Sequence, residues 1–145
     1  MFSSRFIRPA VARATPRPII TNTPSIASRF FTTSSPRMTV HIFETTGEFK
    51  EAIAKNPIVI VDAFAVWCGP CKAIAPQVAK WSEDEKFKDK IYFAKFDVDH
   101  LPDLAQELGI RAMPTFIIFK DGEKVGDVVG ANPAAILAAL NKQVD

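Results

Sequence analysis

The tightest constraint on this chain's fold is a junction. Residues 58–64 read Ile-Val-Ile-Val-Asp-Ala-Phe, an apolar, β-branched run of strand length. Such a run suits a central strand covered on both faces. After it comes Trp67-Cys68-Gly69-Pro70-Cys71-Lys72, and beyond Cys71 the apolar residues Ile74, Val78 and Trp81 recur at helical spacing. A buried strand must therefore turn into a helix within a few residues. The chain's 2 cysteines both lie at that turn.

A Cys-x-x-Cys pair admits three readings. As a structural disulfide it would be unusual, because small domains that depend on bridges carry several, and so short a loop removes little entropy from the unfolded chain. As half of a zinc site it lacks partners: zinc takes four ligands, no third cysteine exists, and His41 and His100 stand alone. No metal within one chain is expected, which leaves only a site shared between two chains. The third reading is a reversible dithiol, the usual meaning of this spacing beside a strand–helix pattern. At the start of the helix Cys68 would meet unpaired backbone N–H groups and the positive end of the helix dipole. Both favour the thiolate, which is the nucleophile. This reading places an activated thiol at an exposed helix end. Gly69 lets a partner's backbone approach, and Pro70 is tolerated in a first helical turn and stiffens the loop.

Taken with the Val-Asp-x-Phe strand before it, WCGPCK resembles the active site of the thioredoxins. Three further stretches match in the right order: Lys95 within the strand-like run Ile91 to Asp97, Met113-Pro114-Thr115 at the start of another, and Gly130 after the Asp121-Gly122 turn. The resemblance spans about residues 38–145. It implies the thioredoxin fold, an α/β single domain whose mixed central sheet carries helices on both faces. It also implies a thiol-disulfide oxidoreductase that reduces disulfides in substrate proteins. An NADPH-dependent thioredoxin reductase would recharge it, peroxiredoxins would be among its substrates, and it would bind no cofactor. Phe64 stands where many members have tryptophan, and Val66 and Ala63 also depart from the commonest wording.

The resemblance assigns roles. Cys68 becomes the attacking nucleophile and Cys71, one turn deeper on the packed face, the resolving thiol. Asp62 shares a strand face with Ile58, Ile60 and Phe64, so burial should raise its pKa and suit it to accept the proton of Cys71. Lys95 is expected to tune that acid, as Gly69 and Pro70 tune the dithiol. Pro114 is expected to be cis and to hold the Met113 backbone open for β-type pairing with a substrate segment. Trp67, Gly130 and Ala131 complete the expected docking rim, and Trp81 is left to the core. Two competing functions remain: a binding module in which dithiol turnover is incidental, and a metal site shared between chains.

Charge must be divided before it is read. All 16 acidic residues lie at or after Glu44, whereas Arg5, Arg8, Arg13, Arg17, Arg29 and Arg37 precede Met38. The overall net of +2 therefore comes from the leader and gives no reason to expect nucleic-acid binding. The leader is free of Asp, Glu and Lys and rich in Arg, Ser, Thr and Pro. That composition fits an organellar transit peptide. Residues 1–37 are read as such a peptide, cut near 30–37, with Arg29-Phe30-Phe31-Thr32 resembling a mitochondrial processing site. The expected location is the mitochondrial matrix. Met38 is an alternative start, residues 38–145 form the domain, and a monomer that does not enter membranes is expected.

Local signals then order the domain: a strand over 39–43, a helix from the Thr45/Glu48 capping pair to Lys55, the 58–64 strand and a helix over about 70–87 that Pro76 should kink. A strand over 91–97 and a short helix from Pro102 to Leu108 follow. A hairpin about Asp121-Gly122 and a helix capped by Asn132 complete the chain.

Overall fold

The computed structural model describes residues 39–145 together with positions 10, 12 and 14–16. Apart from those few positions, the expected transit peptide and its cut site lie outside the described residues. The elements run β1 (Val40–Ile42), α1 (Thr46–Lys55), β2 (Ile58–Phe64), α2 (Gly69–Glu83), β3 (Tyr92–Asp97), α3 (Pro102–Glu107), β4 (Thr115–Lys120), β5 (Glu123–Val129) and α4 (Pro133–Val144). Their sheet has the order β1-β3-β2-β4-β5. β3 is parallel to β1 and β2, whereas β4 is antiparallel to both β2 and β5. This is the mixed sheet with helices on both faces that the resemblance implies.

The apolar run of β2 takes the central place because both of its faces are needed. Val59, Val61 and Ala63 point into a core with Phe49 and Ala52 of α1, Leu104 of α3, Phe96, Ile117 and Phe119. Ile60 points the other way, into a core with Ile74, Val78 and Trp81 of α2, Ile136 and Leu140 of α4, Phe93, Phe116 and Ile118. Period-two alternation along each strand thus supplies two helix-covered layers. Val59, Val61 and Ala63 are completely excluded from solvent.

Side-chain caps fix where helices begin. The Thr45 hydroxyl accepts from Glu48 N at 3.2 Å, and Glu48 Oε2 accepts from Glu44 N at 2.8 Å. The glutamate thus reaches one residue further back than in the usual capping box. Asn132 Oδ1 accepts from Ala134 N and Ala135 N and opens α4. Between β4 and β5 the chain turns through Asp121 at φ 51° and Gly122 at φ 84°. This left-handed pair matches the twist of a two-residue hairpin.

Two expectations need adjustment. α2 does not run to residue 87: it ends at Glu83, with Asp84 extended at ψ 131°. A separate turn follows, in which Asp84 O accepts from Phe87 N and Lys88 N. Phe87 is still buried, so the apolar spacing carried on past the helix that produced it. β1 shrinks to three residues at the edge of the sheet. Pro76 lies within α2, as expected, where it supplies no backbone N–H to the helix.

Candidate active site

Where β2 ends, the chain makes a tight turn in which Cys68 N donates to Ala65 O at 3.1 Å. Cys68 is the N-cap of α2 and Pro70 lies in its first turn. Cys68 and Cys71 are joined in a disulfide, their Cα atoms 5.3 Å apart. Cys68 Sγ accepts from Cys71 N at 3.2 Å. The same N–H would face a thiolate when the bridge is reduced, which is how a helix start stabilises negative sulfur.

Exposure differs from the expectation at one sulfur. The helix end is open at Gly69 and Pro70, but Cys68 is only 5% exposed and Cys71 only 4%. Ala65, Phe64, Val98 and Met113 pack with the two cysteines. An incoming thiolate therefore meets a disulfide with little exposed surface.

Asp62 lies one strand height below. It is register partner of Lys95 on β3 and of Phe116 on β4, and all three point toward α2. The carboxyl is 5% exposed, and Oδ1 is buried with no hydrogen-bond partner. Burial pushes its pKa from 3.8 up to about 7, against a smaller lowering by the Lys95 charge. A cavity of about 370 Å³ connects this carboxyl with Cys71, Lys72 and Lys95. A group that titrates near neutral pH and borders the inner sulfur can exchange a proton with it.

Of the remaining expected residues, Met113 packs with the disulfide cysteines. The Met113–Pro114 peptide bond is cis. Met113 is half-buried against the cysteines, and Pro114 O accepts from Gly130 N at 2.8 Å. That bond ties the turn before β4 to the end of β5 and brings Gly130, at φ 94°, to the same rim. Ala131 is half-buried beside it, with its side chain packed on the α2/α4 core. Trp67 is 65% exposed and Val66 62% exposed. The indole, next to Cys68 in sequence, is therefore largely open to solvent. Trp81, by contrast, is core.

Two further residues support the site. Trp67 Nε1 donates to Asp99 Oδ2 at 2.9 Å, which fixes the exposed ring. The buried Thr115 hydroxyl donates to Ala112 O at 2.7 Å and braces the turn that carries Met113 and Pro114. The first bond depends on how distant loops meet, whereas the second closes a turn only three residues apart in sequence. The turn at Asp97–Asp99, where Asp97 Oδ1 accepts from Asp99 N, is short-range too.

Fold and site together define a thiol-disulfide oxidoreductase: a redox bridge at a helix start, backed by a buried acid and flanked by a cis-proline. The thioredoxin family model matches residues 40–142, and the chain belongs to the thioredoxin family. It is 48% identical over 121 residues to Thioredoxin-2 of Pyricularia oryzae, covering 83% of this chain and 69% of that one. Mitochondrial thioredoxin 3 of Saccharomyces cerevisiae, in its oxidised form, matches with TM-score 0.67 and 36% identity over 72% of this chain and 95% of that one. A chain from a structure on the thiol-resolving mechanism of the yeast mitochondrial 1-Cys peroxiredoxin, via glutathione and thioredoxin systems, matches with TM-score 0.67 and 35% identity, over 71% of this chain and 94% of that one. The family works by reversible oxidation of its dithiol, and it implies a thioredoxin reductase as electron donor and disulfide-bearing proteins as substrates. Among the described residues, no group of three or more His, Cys, Asp or Glu is placed to hold a metal ion, and no helix is long and apolar enough to cross a membrane.

Proposed function

We propose that this protein is a mitochondrial thioredoxin in which Cys68 attacks and Cys71 resolves. The Cys68 thiolate attacks one sulfur of a substrate disulfide, forms the mixed disulfide and expels the other substrate sulfur as a thiolate. Asp62 in its carboxylate form takes the Cys71 proton. The Cys71 thiolate then attacks Cys68, releases the second substrate thiolate and leaves the Cys68–Cys71 bridge. Two electrons pass to the substrate, and an NADPH-dependent thioredoxin reductase returns them. The observation that carries this reading is the bridge at the α2 N-cap beside a buried, unpartnered carboxyl.

Gly69 and Pro70 set the shape of the dithiol loop, and Lys95 adjusts the charge of Asp62. Trp67, Met113, Pro114, Gly130 and Ala131 form the rim against which an extended substrate segment pairs. Peroxiredoxins are proposed substrates, on the strength of the family chemistry and of the yeast peroxiredoxin structure whose chain this one resembles. The matrix location rests on the acid-free, arginine-rich composition of residues 1–37, and the likeness to a mitochondrial thioredoxin supports it. The domain is proposed to begin at residue 38 and to act as a monomer with no bound cofactor.

The deciding assay is reduction of insulin disulfides by this chain with NADPH and thioredoxin reductase. NADPH consumption should follow enzyme concentration and vanish in the Cys68→Ser, Cys71→Ser double variant. Equal consumption by that variant would sink the reading. Import of a fluorescent protein fused to residues 1–37 checks the address separately.

A further inference from the structure

Phe64 takes no part in the thiol chemistry, yet it borders the cavity that holds Asp62, Cys71, Lys72 and Lys95. The charged groups around Asp62 come from two elements, Lys72 from α2 and Lys95 from β3. The β4 neighbour at the same height is the uncharged Phe116. Lys95 is the register partner of Asp62, so its stem starts beside the carboxyl. Opposite charges that close should meet, and Oδ1 is buried and free to accept. They do not form an ion pair. Lys95 Nζ stands instead 5.2 Å from the centroid of the Phe64 ring, within cation–π range.

We propose that Phe64 is a positioning residue: its ring holds the Lys95 ammonium away from Asp62 and so keeps the carboxylate basic enough to take the Cys71 proton. The transfer is balanced within the site, with Cys71 S–H losing and Asp62 gaining one proton. Lys95 then acts through space at the cavity mouth and not as a direct partner. Without the ring the ammonium swings onto Oδ1, and the carboxylate becomes a weaker base. This inference rests on the assignment of Asp62 as proton acceptor.

The test is carbon NMR titration of the Asp62 carboxyl in the oxidised full chain. Phe64→Met keeps bulk and removes the ring face, and it should lower the Asp62 titration by about one pH unit, the effect of a cation brought into contact. Phe64→Trp should leave it where the wild type has it. In a Lys95→Met background, Phe64→Met should produce no further shift. An unchanged titration in Phe64→Met overturns the proposal. So does an equal shift with and without Lys95, which would mean that the ring acts by excluding water. Phe64→Leu is read in the same way if Phe64→Met does not fold. Resolution of a trapped mixed disulfide, followed against pH, gives the functional readout: its acid limb should move down with the titration. If Asp62→Asn leaves that rate unchanged, the acceptor assignment fails, whereas the titrations judge the Phe64–Lys95 contact alone.

Discussion

Trp67 and Asp99 are joined by a hydrogen bond of 2.9 Å that spans 32 residues of sequence. It anchors an indole that is otherwise 65% exposed. The ring therefore meets a partner protein already oriented. Asp99→Ala should raise the KM for protein substrates about fivefold, the equivalent of about 1 kcal/mol for one exposed charge-assisted bond. The kcat should change little, because no thiol contact is lost. Steady-state kinetics with reductase and insulin, with Trp67 fluorescence alongside, checks both.

Asp62 predicts a pH-dependent stability with a definite sign. Its folded pKa of about 7 lies above the ordinary carboxylate value of 3.8. The folded state therefore holds the proton more tightly than the unfolded chain. The resulting stability is fully present below about pH 4 and is lost as pH rises toward about 7, after which it stays flat. Asp62→Asn should remove that loss, leaving the variant more stable than the wild type at about pH 8 by on the order of 4 kcal/mol. Denaturant unfolding of the two oxidised proteins at about pH 4 and about pH 8 measures the difference.

The same substitution should slow thiol resolution. Without an acceptor the mixed disulfide should resolve roughly tenfold to a hundredfold more slowly near neutral pH. Stopped-flow release of a reporter thiol from the mixed disulfide reads this directly. A faster or unaltered release would remove Asp62 from the mechanism.

Gly130 holds φ at 94° while its N–H donates to Pro114 O. An added Cβ would meet nothing within 4 Å, so strain there is a matter of backbone and not of space. Gly130→Ala should cost about 1–2 kcal/mol of stability. If the backbone relaxes, the tie to Pro114 lengthens and KM for protein substrates rises with it. Unfolding curves and insulin kinetics on one preparation compare the two effects.

Phe96 is wholly buried in the layer under α1 and α3, on the strand that carries Lys95. Phe96→Ala should destabilise by about 3–5 kcal/mol through lost contacts and a cavity. Thermal and denaturant unfolding should agree on that cost.

Period and punctuation carried most of the architecture. The strand 58–64 matches β2 residue for residue, because a buried central strand is written in consecutive apolar side chains. Thr45 and Asn132 also announced their helices, since caps are local. The end of α2 was hidden, because Phe87 is buried by a separate turn that keeps the apolar spacing. The burial of Cys68 escaped because it depends on Met113 and Val98, brought in from distant segments. Asp99 and the Phe64–Lys95 contact were invisible for the same reason: register between strands is a property of pairs, not of either run alone.

That register also has a bearing on when the protein becomes reactive. The row Asp62, Lys95 and Phe116 draws on three strands, and the sulfur-facing N–H belongs to a helix that packs on them. None of these neighbours exists in an extended chain. The Cys68–Cys71 segment of an unfolded or partly synthesised copy is an ordinary dithiol in water, with thiols of ordinary nucleophilicity. Reactivity is conferred by closure of the sheet. On the proposed route into mitochondria, the extended chain would carry an ordinary dithiol, and its raised reactivity would begin where it folds.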